Sequence, residues 1–124
     1  MQIQGIVVHG KKQARELGYP TANIEYSSAD HLEPGVWTCW MLLDGEPQEG
    51  LAVVGMWKLS RGEPSVEVHL LDVSPDLYDA HVEIEVGHRL RPLLPFQGVE
   101  PLKIQIKQDI QQGRVWFSSH SFTR

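Results

Sequence analysis

Only one cysteine, Cys39, stands among the 124 residues. One thiol closes no internal disulfide and builds no cysteine zinc site, and such sparse use fits a reducing compartment. Long apolar runs are missing as well. The longest, Cys39-Trp40-Met41-Leu42-Leu43, falls far short of the roughly 20 residues that a membrane-spanning helix needs. The opening Met1-Gln2-Ile3-Gln4-Gly5 has neither the basic nor the apolar region of a secretion signal. No Gly-x-Gly-x-x-Gly and no Gly-Lys-Ser/Thr occurs, so neither a dinucleotide fold nor a P-loop is supported. Positive charge is in the minority, with 11 Lys and Arg against 16 Asp and Glu and a net charge of −5. Nucleic acids and anionic membranes attract the opposite balance. With no repeat, low-complexity stretch or linker either, the expectation is one domain over residues 1–124. It is expected to be a cytoplasmic monomer with no nucleic-acid or membrane partner.

Hydrophobic residues make up 41% and charged residues 22%, the balance of a chain that folds around a core. Eleven glycines and eight prolines cut it into short pieces. Residues 3–9 read as a first strand and residues 10–20 as a polar, basic loop. Apolar runs at 36–43 and 51–57 bracket Asp44-Gly45-Glu46-Pro47, the signature of a hairpin. In residues 65–72, Val66, Val68 and Leu70 share one face while Glu67, His69 and Leu71 share the other. In residues 81–90, Val82, Ile84 and Val86 point inward and His81, Glu83 and Glu85 outward. The period then changes: Val99, Leu102, Ile106 and Ile110 lie on one face of a helix, with Pro101 in its first turn and Gly113 at its end. Five or six short strands and one late helix predict a mainly β fold. The expected form is an antiparallel sheet closed into a small barrel, because an open sheet would leave two edges to protect, with the C-terminal α-helix packed outside.

Tyr19-Pro20-Thr21-Ala22-Asn23 carries the most chemistry. Pro20 fixes its own φ and biases Tyr19 toward an extended backbone. In an extended chain, Thr21 and Asn23 project from the same side. Their neutral oxygens suit Mg²⁺ when phosphates supply the negative charge. Lys11, Lys12 and Arg15 place cations just upstream, as a phosphate pocket needs. On spacing alone the stretch reads first as a surface turn, because Pro, Thr and Asn are good turn formers.

These residues come with a family attached. Gly5-x-Val7-Val8-His9-Gly10, then Arg15-x-Leu17-Gly18-Tyr19-Pro20-Thr21-Ala22-Asn23, then Val66-Glu67-Val68-His69-Leu70-Leu71-Asp72 with Asp76-Leu77-Tyr78, resemble riboflavin kinases. Leu90-Arg91-Pro92, Phe96 and a late helix ending near Asp109 extend the resemblance over nearly the whole chain. It implies a six-stranded antiparallel closed β-barrel of Greek-key type with a C-terminal α-helix packed outside, in agreement with the independent count of five or six strands. It also implies transfer of the γ-phosphoryl of ATP to the 5′-hydroxyl of riboflavin, giving FMN, with Mg²⁺ as cofactor. Thr21 and Asn23 would then hold the metal and nucleotide, and Gly10, Lys11, Arg15, Gly18 and Pro20 would form the rest of the nucleotide site. Glu67 would be the base, with Trp57, Glu67 and Arg91 against the flavin. Alternation alone makes Glu67 one outward carboxylate among several; a base held on a strand and orienting the substrate hydroxyl is what phosphoryl transfer to an alcohol uses. Many bacteria fuse such a domain behind an adenylyltransferase that makes FAD, and this chain is too short to house both.

The departures are expected to fall in loops. Ala14 stands where the family has glycine before the arginine, and a Cβ restricts the φ > 0 conformations that let backbone N–H groups close over phosphates. Val53-Val54-Gly55-Met56-Trp57 replaces the family's Asn-Ile-Gly, and Leu77-Tyr78-Asp79 its Leu-Tyr-Gly. A degenerate phosphate loop defines the alternative reading, a non-catalytic riboflavin- or FMN-binding module of the same fold. Elsewhere, His69 and His81 could face each other across neighbouring strands, but two imidazoles make an incomplete metal site. Cys39, inside an apolar strand, reads as a small core residue. Of the four tryptophans only Trp57, beside an altered loop, reads as a flavin neighbour.

Overall fold

The computed structural model describes residues 2–8, 19, 21–26, 32–59, 62–73, 75–95 and 97–123. Six strands, β1 (Gln2–Val8), β2 (Ala22–Tyr26), β3 (Gly35–Leu43), β4 (Glu46–Lys58), β5 (Pro64–Leu70) and β6 (His81–Arg91), precede one helix, α1 (Val99–Phe117). Every strand pairing is antiparallel, and the order β1-β2-β5-β4-β3-β6 closes where β6 returns to β1. The expected barrel is the observed one. Closure leaves no sheet edge for another chain to extend.

The period-2 alternation decides what lies in the lumen. Ile3 and Val7 from β1, Ile24 from β2, Ala52 and Val54 from β4, Val66 and Val68 from β5, and Val82, Ile84 and Val86 from β6 fill it as one cluster. Eight-or-fewer-stranded barrels are filled by side chains in this way, so the lumen is core and no channel. Cys39 belongs to this cluster, and burial pushes its thiol up to about 12. It stays protonated near neutral pH and is no nucleophile.

The 44–47 turn is tighter than its sequence implies. Only Asp44 and Gly45 form it, at φ 50° and 81°, as a two-residue turn with both φ positive requires. Glu46 and Pro47 already belong to β4 and pair with Leu43 and Leu42. Pro47 is tolerated because β5 begins pairing with β4 only at Gly50, so it has a neighbour on one side alone. Asp79, the family's glycine position, takes φ 66°. His69 and His81 do not face each other. β5 lies between β2 and β4, and β6 between β1 and β3, so consecutive strands in sequence are apart in the barrel.

The helix also runs past its expected end. Gly113 is interior and buried; a Cβ there would come within 2.9 Å of Leu51 Cδ2, so this glycine marks close approach to β4 and no C-cap. Beyond it, Trp116 and Phe117 lie against Trp40 at ring-centroid distances of 5.3 and 5.5 Å, and Phe122 joins at 5.8 Å. These contacts fasten the C-terminal half of α1 to the outer face of β3.

Candidate functional site

Outward-facing residues of five strands fall into one register. Asn23 pairs with Glu67, Glu67 with Val53, Val53 with Val36, and Val36 with Arg91. Directly opposed residues share a face, so this row crosses the outside of the barrel through β2, β5, β4, β3 and β6. Two one-residue irregularities in the β3–β6 register add to a shift of two residues, one period of the strand, which returns Arg91 to the face of Val36. The row is polar at both ends and apolar in the middle, and Glu67 and Arg91 stand three strand spacings apart, roughly 14 Å.

The N-terminal half of α1 spans this row without packing on it. Val99, Leu102, Ile106 and Ile110, the stripe read from the sequence, line a cavity of about 580 Å³ whose floor includes Val36, Leu51, Val53, Glu67 and Arg91. Leu93, Leu94 and Pro95 close one side, and Met56 and Trp57 another. A largely hydrocarbon pocket of this size with a few polar groups is the usual form of a small-molecule site. The rim is apolar too, with Met56, Leu94 and Val99 about half exposed.

Glu67 is 8% exposed, unlike Glu83 and Glu85, which share its outward alternation but remain partly open to solvent. His69, two residues along β5, lines the same cavity and meets the Tyr19 ring edge to face at 5.8 Å. Asn23 is 9% exposed, and its Oδ1 has no hydrogen-bond partner among the described residues. A buried oxygen without a donor costs stability unless something else binds it. Thr21, just before β2, lines both the large cavity and a second cleft of about 400 Å³. That cleft opens at the end of the lumen, between Val7, Ala22 and Val68 on one side and Pro75, Asp76, Leu77 and Tyr78 on the other. Its lining is far more polar than that of the first cavity.

At the opposite end of the row, Arg91 meets Asp109 of α1 in a two-pronged pair. Nε donates to Oδ1 at 2.7 Å and Nη2 to Oδ2 at 2.8 Å. Gln105 Nε2 adds a third donor to Oδ1 at 2.9 Å, and Arg91 Nη1 donates to the Pro92 carbonyl at 3.0 Å. Sequence reading singled out Arg91 but passed over Asp109 and Gln105. The available signal was a charge on an apolar stripe: Asp109 lies three residues after Ile106 and four before Gly113.

The structure thus brings Thr21, Trp57, Glu67 and Arg91 to one cavity. Asn23 sits beside Glu67 in the row. Gly10, Lys11, Arg15, Gly18 and Pro20, like Ala14, lie outside the described residues. The other tryptophans stay out of the cavity: Trp40 and Trp116 pack together, and Trp37 Nε1 donates to the Glu33 carbonyl at 3.1 Å. Among the described residues no three His, Cys, Asp or Glu side chains form a metal-binding group.

With this geometry in view, comparison with known proteins is direct. The family model for riboflavin kinase (flavokinase) matches residues 1–117. The chain belongs to the riboflavin kinase family. Among curated relatives, the bifunctional riboflavin kinase/FMN adenylyltransferase of Bacillus subtilis is 34% identical over 122 residues, covering 94% of this chain and 39% of that protein. The Escherichia coli enzyme of the same name is 36% identical over 117 residues, covering 93% and 37%. The chain therefore spans about two fifths of the length of these relatives. Among solved structures, riboflavin kinase from Trypanosoma brucei superposes with a TM-score of 0.73 at 26% identity, covering 95% of this chain and 80% of that one. A protein described as a macrolide-efflux protein from Streptococcus pneumoniae superposes at 0.84 with 30% identity, covering 93% and 38%. No helix among the described residues of this riboflavin kinase family member is long and apolar enough to cross a membrane.

Proposed function

We propose that the chain transfers the γ-phosphoryl of ATP to the 5′-hydroxyl of riboflavin, giving FMN and ADP. The observation that carries this reading is the meeting of two unlike cavities at Thr21, beside a buried carboxylate. The larger, apolar cavity suits a flat, neutral ring system. The more polar cleft suits a nucleotide, and the two approach each other where a phosphoryl group has to pass.

In this reading Glu67 accepts the hydroxyl proton as the ribityl oxygen forms its bond to the γ-phosphorus, and ADP leaves with the bond it breaks. The strand holds the carboxylate in place and the cavity shields it, so its orientation costs little when substrate arrives. Thr21 and the Oδ1 of Asn23, which has no partner among the described residues, fit the hard oxygen donors that a Mg²⁺–nucleotide uses, alongside phosphate oxygens and water. When bound, Mg²⁺ neutralises phosphate charge. Lys11 and Arg15, with Gly10, Gly18 and Pro20, are assigned to the phosphates, and Trp57 and Arg91 to the flavin.

The test is FMN formation from riboflavin and ATP, with Mg²⁺ and with chelator. Magnesium-dependent FMN production is expected. Riboflavin binding without any FMN formed overturns the enzyme reading in favour of a binding module.

A further inference from the structure

Among the described residues lining the large cavity, Arg91 is the only lysine or arginine. Its side chain is 15% exposed and that of Asp109 is 6% exposed, so the pair sits largely out of water. The wall above it is hydrocarbon, from Leu102, Ile106 and Ile110. A guanidinium in such surroundings has one strong demand, an oxyanion that matches its planar fork. Phosphate meets that demand as well as a carboxylate does. A phosphotransferase works in the constant presence of a polyphosphate, so an uncompensated arginine in the pocket for its neutral substrate would recruit the wrong ligand. Asp109 is a tethered anion already seated on Nε and Nη2, and Gln105 holds it there.

We propose that Asp109 is a specificity-determining residue: by neutralising Arg91 inside the apolar cavity, it keeps that cavity selective for a neutral aromatic ligand and closed to polyphosphates. The inference rests on the reading of this cavity as the riboflavin pocket. Asp109 acts through Arg91, so it is not a catalytic residue. A purely structural ion pair would change stability when broken and leave anion selectivity untouched, which separates the two roles.

The experiment measures riboflavin affinity by quenching of its fluorescence, in chelator, with and without inorganic tripolyphosphate. In the wild-type chain millimolar tripolyphosphate is expected to shift the apparent Kd by less than about twofold, and in Asp109→Asn to raise it roughly tenfold or more, the worth of a charge-assisted contact. In the double variant Arg91→Gln/Asp109→Asn, with both charges gone, tripolyphosphate is expected to leave the melting temperature unchanged, as in the wild type. Thermal unfolding supplies a second readout: tripolyphosphate should raise the melting temperature of Asp109→Asn and not that of the wild type, because it binds the folded state in place of the carboxylate. If Asp109→Asn does not fold alone, tripolyphosphate should restore folding, and failure to do so counts against the proposal. Equal tripolyphosphate responses in wild type and Asp109→Asn overturn this inference alone. A wild-type chain that binds no riboflavin overturns the reading of the cavity, and this inference with it.

Discussion

The two ends of the row across the barrel bury polar groups in opposite ways. At the β2–β5 end, Asn23 Oδ1 is buried with no partner among the described residues, next to the buried carboxylate of Glu67. At the β6–α1 end, Asp109 is just as buried, and its carboxylate accepts three hydrogen bonds. Burial is therefore not what separates the two ends. What separates Asn23 Oδ1 from the Asp109 carboxylate is whether the described residues complete its hydrogen bonding. The contrast carries into α1. Its first half, over the row, turns its apolar stripe toward the cavity, while its second half, from Gly113 to Phe117, packs on the barrel. The ion pair sits at the junction.

The sharpest break in this comparison comes from Glu67→Gln. It keeps the shape and most of the hydrogen bonding but removes the proton acceptor, so kcat should fall roughly 10²- to 10⁴-fold. Riboflavin affinity should change little, because the proposed reading lays the ring along the apolar part of the row. Steady-state FMN formation and direct riboflavin titration measure the two separately. Lost affinity with unchanged turnover per bound substrate would remove Glu67 from the role of proton acceptor.

Next in size is the satisfied end. Asp109→Ala removes a bidentate counter-ion from a largely buried guanidinium, and breaking such a pair costs about 3–5 kcal/mol. Urea unfolding of the two chains measures it. A loss below about 1 kcal/mol, the range of exposed pairs, would show that the end called saturated contributes no more than a surface contact.

Much of this contrast was legible before any coordinates. Alternation in β5 put Glu67 on the outer face, and the observed register keeps it there; the two-residue spacing of Thr21 and Asn23 would put them on one side of an extended chain. Periodicity gave the stripe from Val99 to Ile110, yet it carries no information on whether an apolar face meets core or cavity. Asp109 escaped notice because a carboxylate is ordinarily a solvated residue, and its partner lies on another element. Gly113 misled because glycine ends helices more often than it permits close packing within them. The His69–His81 pairing failed for a topological reason: closure places strands by register across the barrel, not by order along the chain. Pro47 was read as turn for want of knowing that its strand overhangs its neighbour.

A smaller effect is expected where a neutral group completes the bonding. Thr38, fully buried on the outer face under α1, accepts the His88 N–H on Oγ1 at 2.8 Å and donates to the His88 carbonyl at 3.4 Å. It sits opposite one of the β3–β6 irregularities, where ladder bonding is interrupted. Thr38→Val keeps the volume and removes the hydroxyl, leaving that N–H without its acceptor, at about 1–3 kcal/mol. A change within error in urea unfolding would mean that the irregularity needs no side-chain bond.

The smallest shift in stability should come from Asn23. Asn23→Leu replaces an amide with a hydrocarbon of similar volume between its cross-strand neighbours Val8 and Glu67. If Oδ1 has no internal partner, the substitution sacrifices no hydrogen bond there and removes the cost of burying an unsatisfied oxygen. Stability should stay within about 0.5 kcal/mol of wild type or rise, the pattern of a position kept for function at the expense of the fold. Magnesium-dependent nucleotide affinity should fall sharply in the same variant, since a methyl group cannot replace a hard oxygen donor. The two measurements together make the test: urea unfolding without ligand, and ATP titration with and without Mg²⁺. A stability loss matching that of Thr38→Val would show that Oδ1 is bonded within the fold, and the difference between the two ends of the row would disappear. Unchanged stability with unchanged magnesium-dependent affinity would leave Oδ1 without an internal partner but place the metal elsewhere, with Thr21 the remaining donor to test.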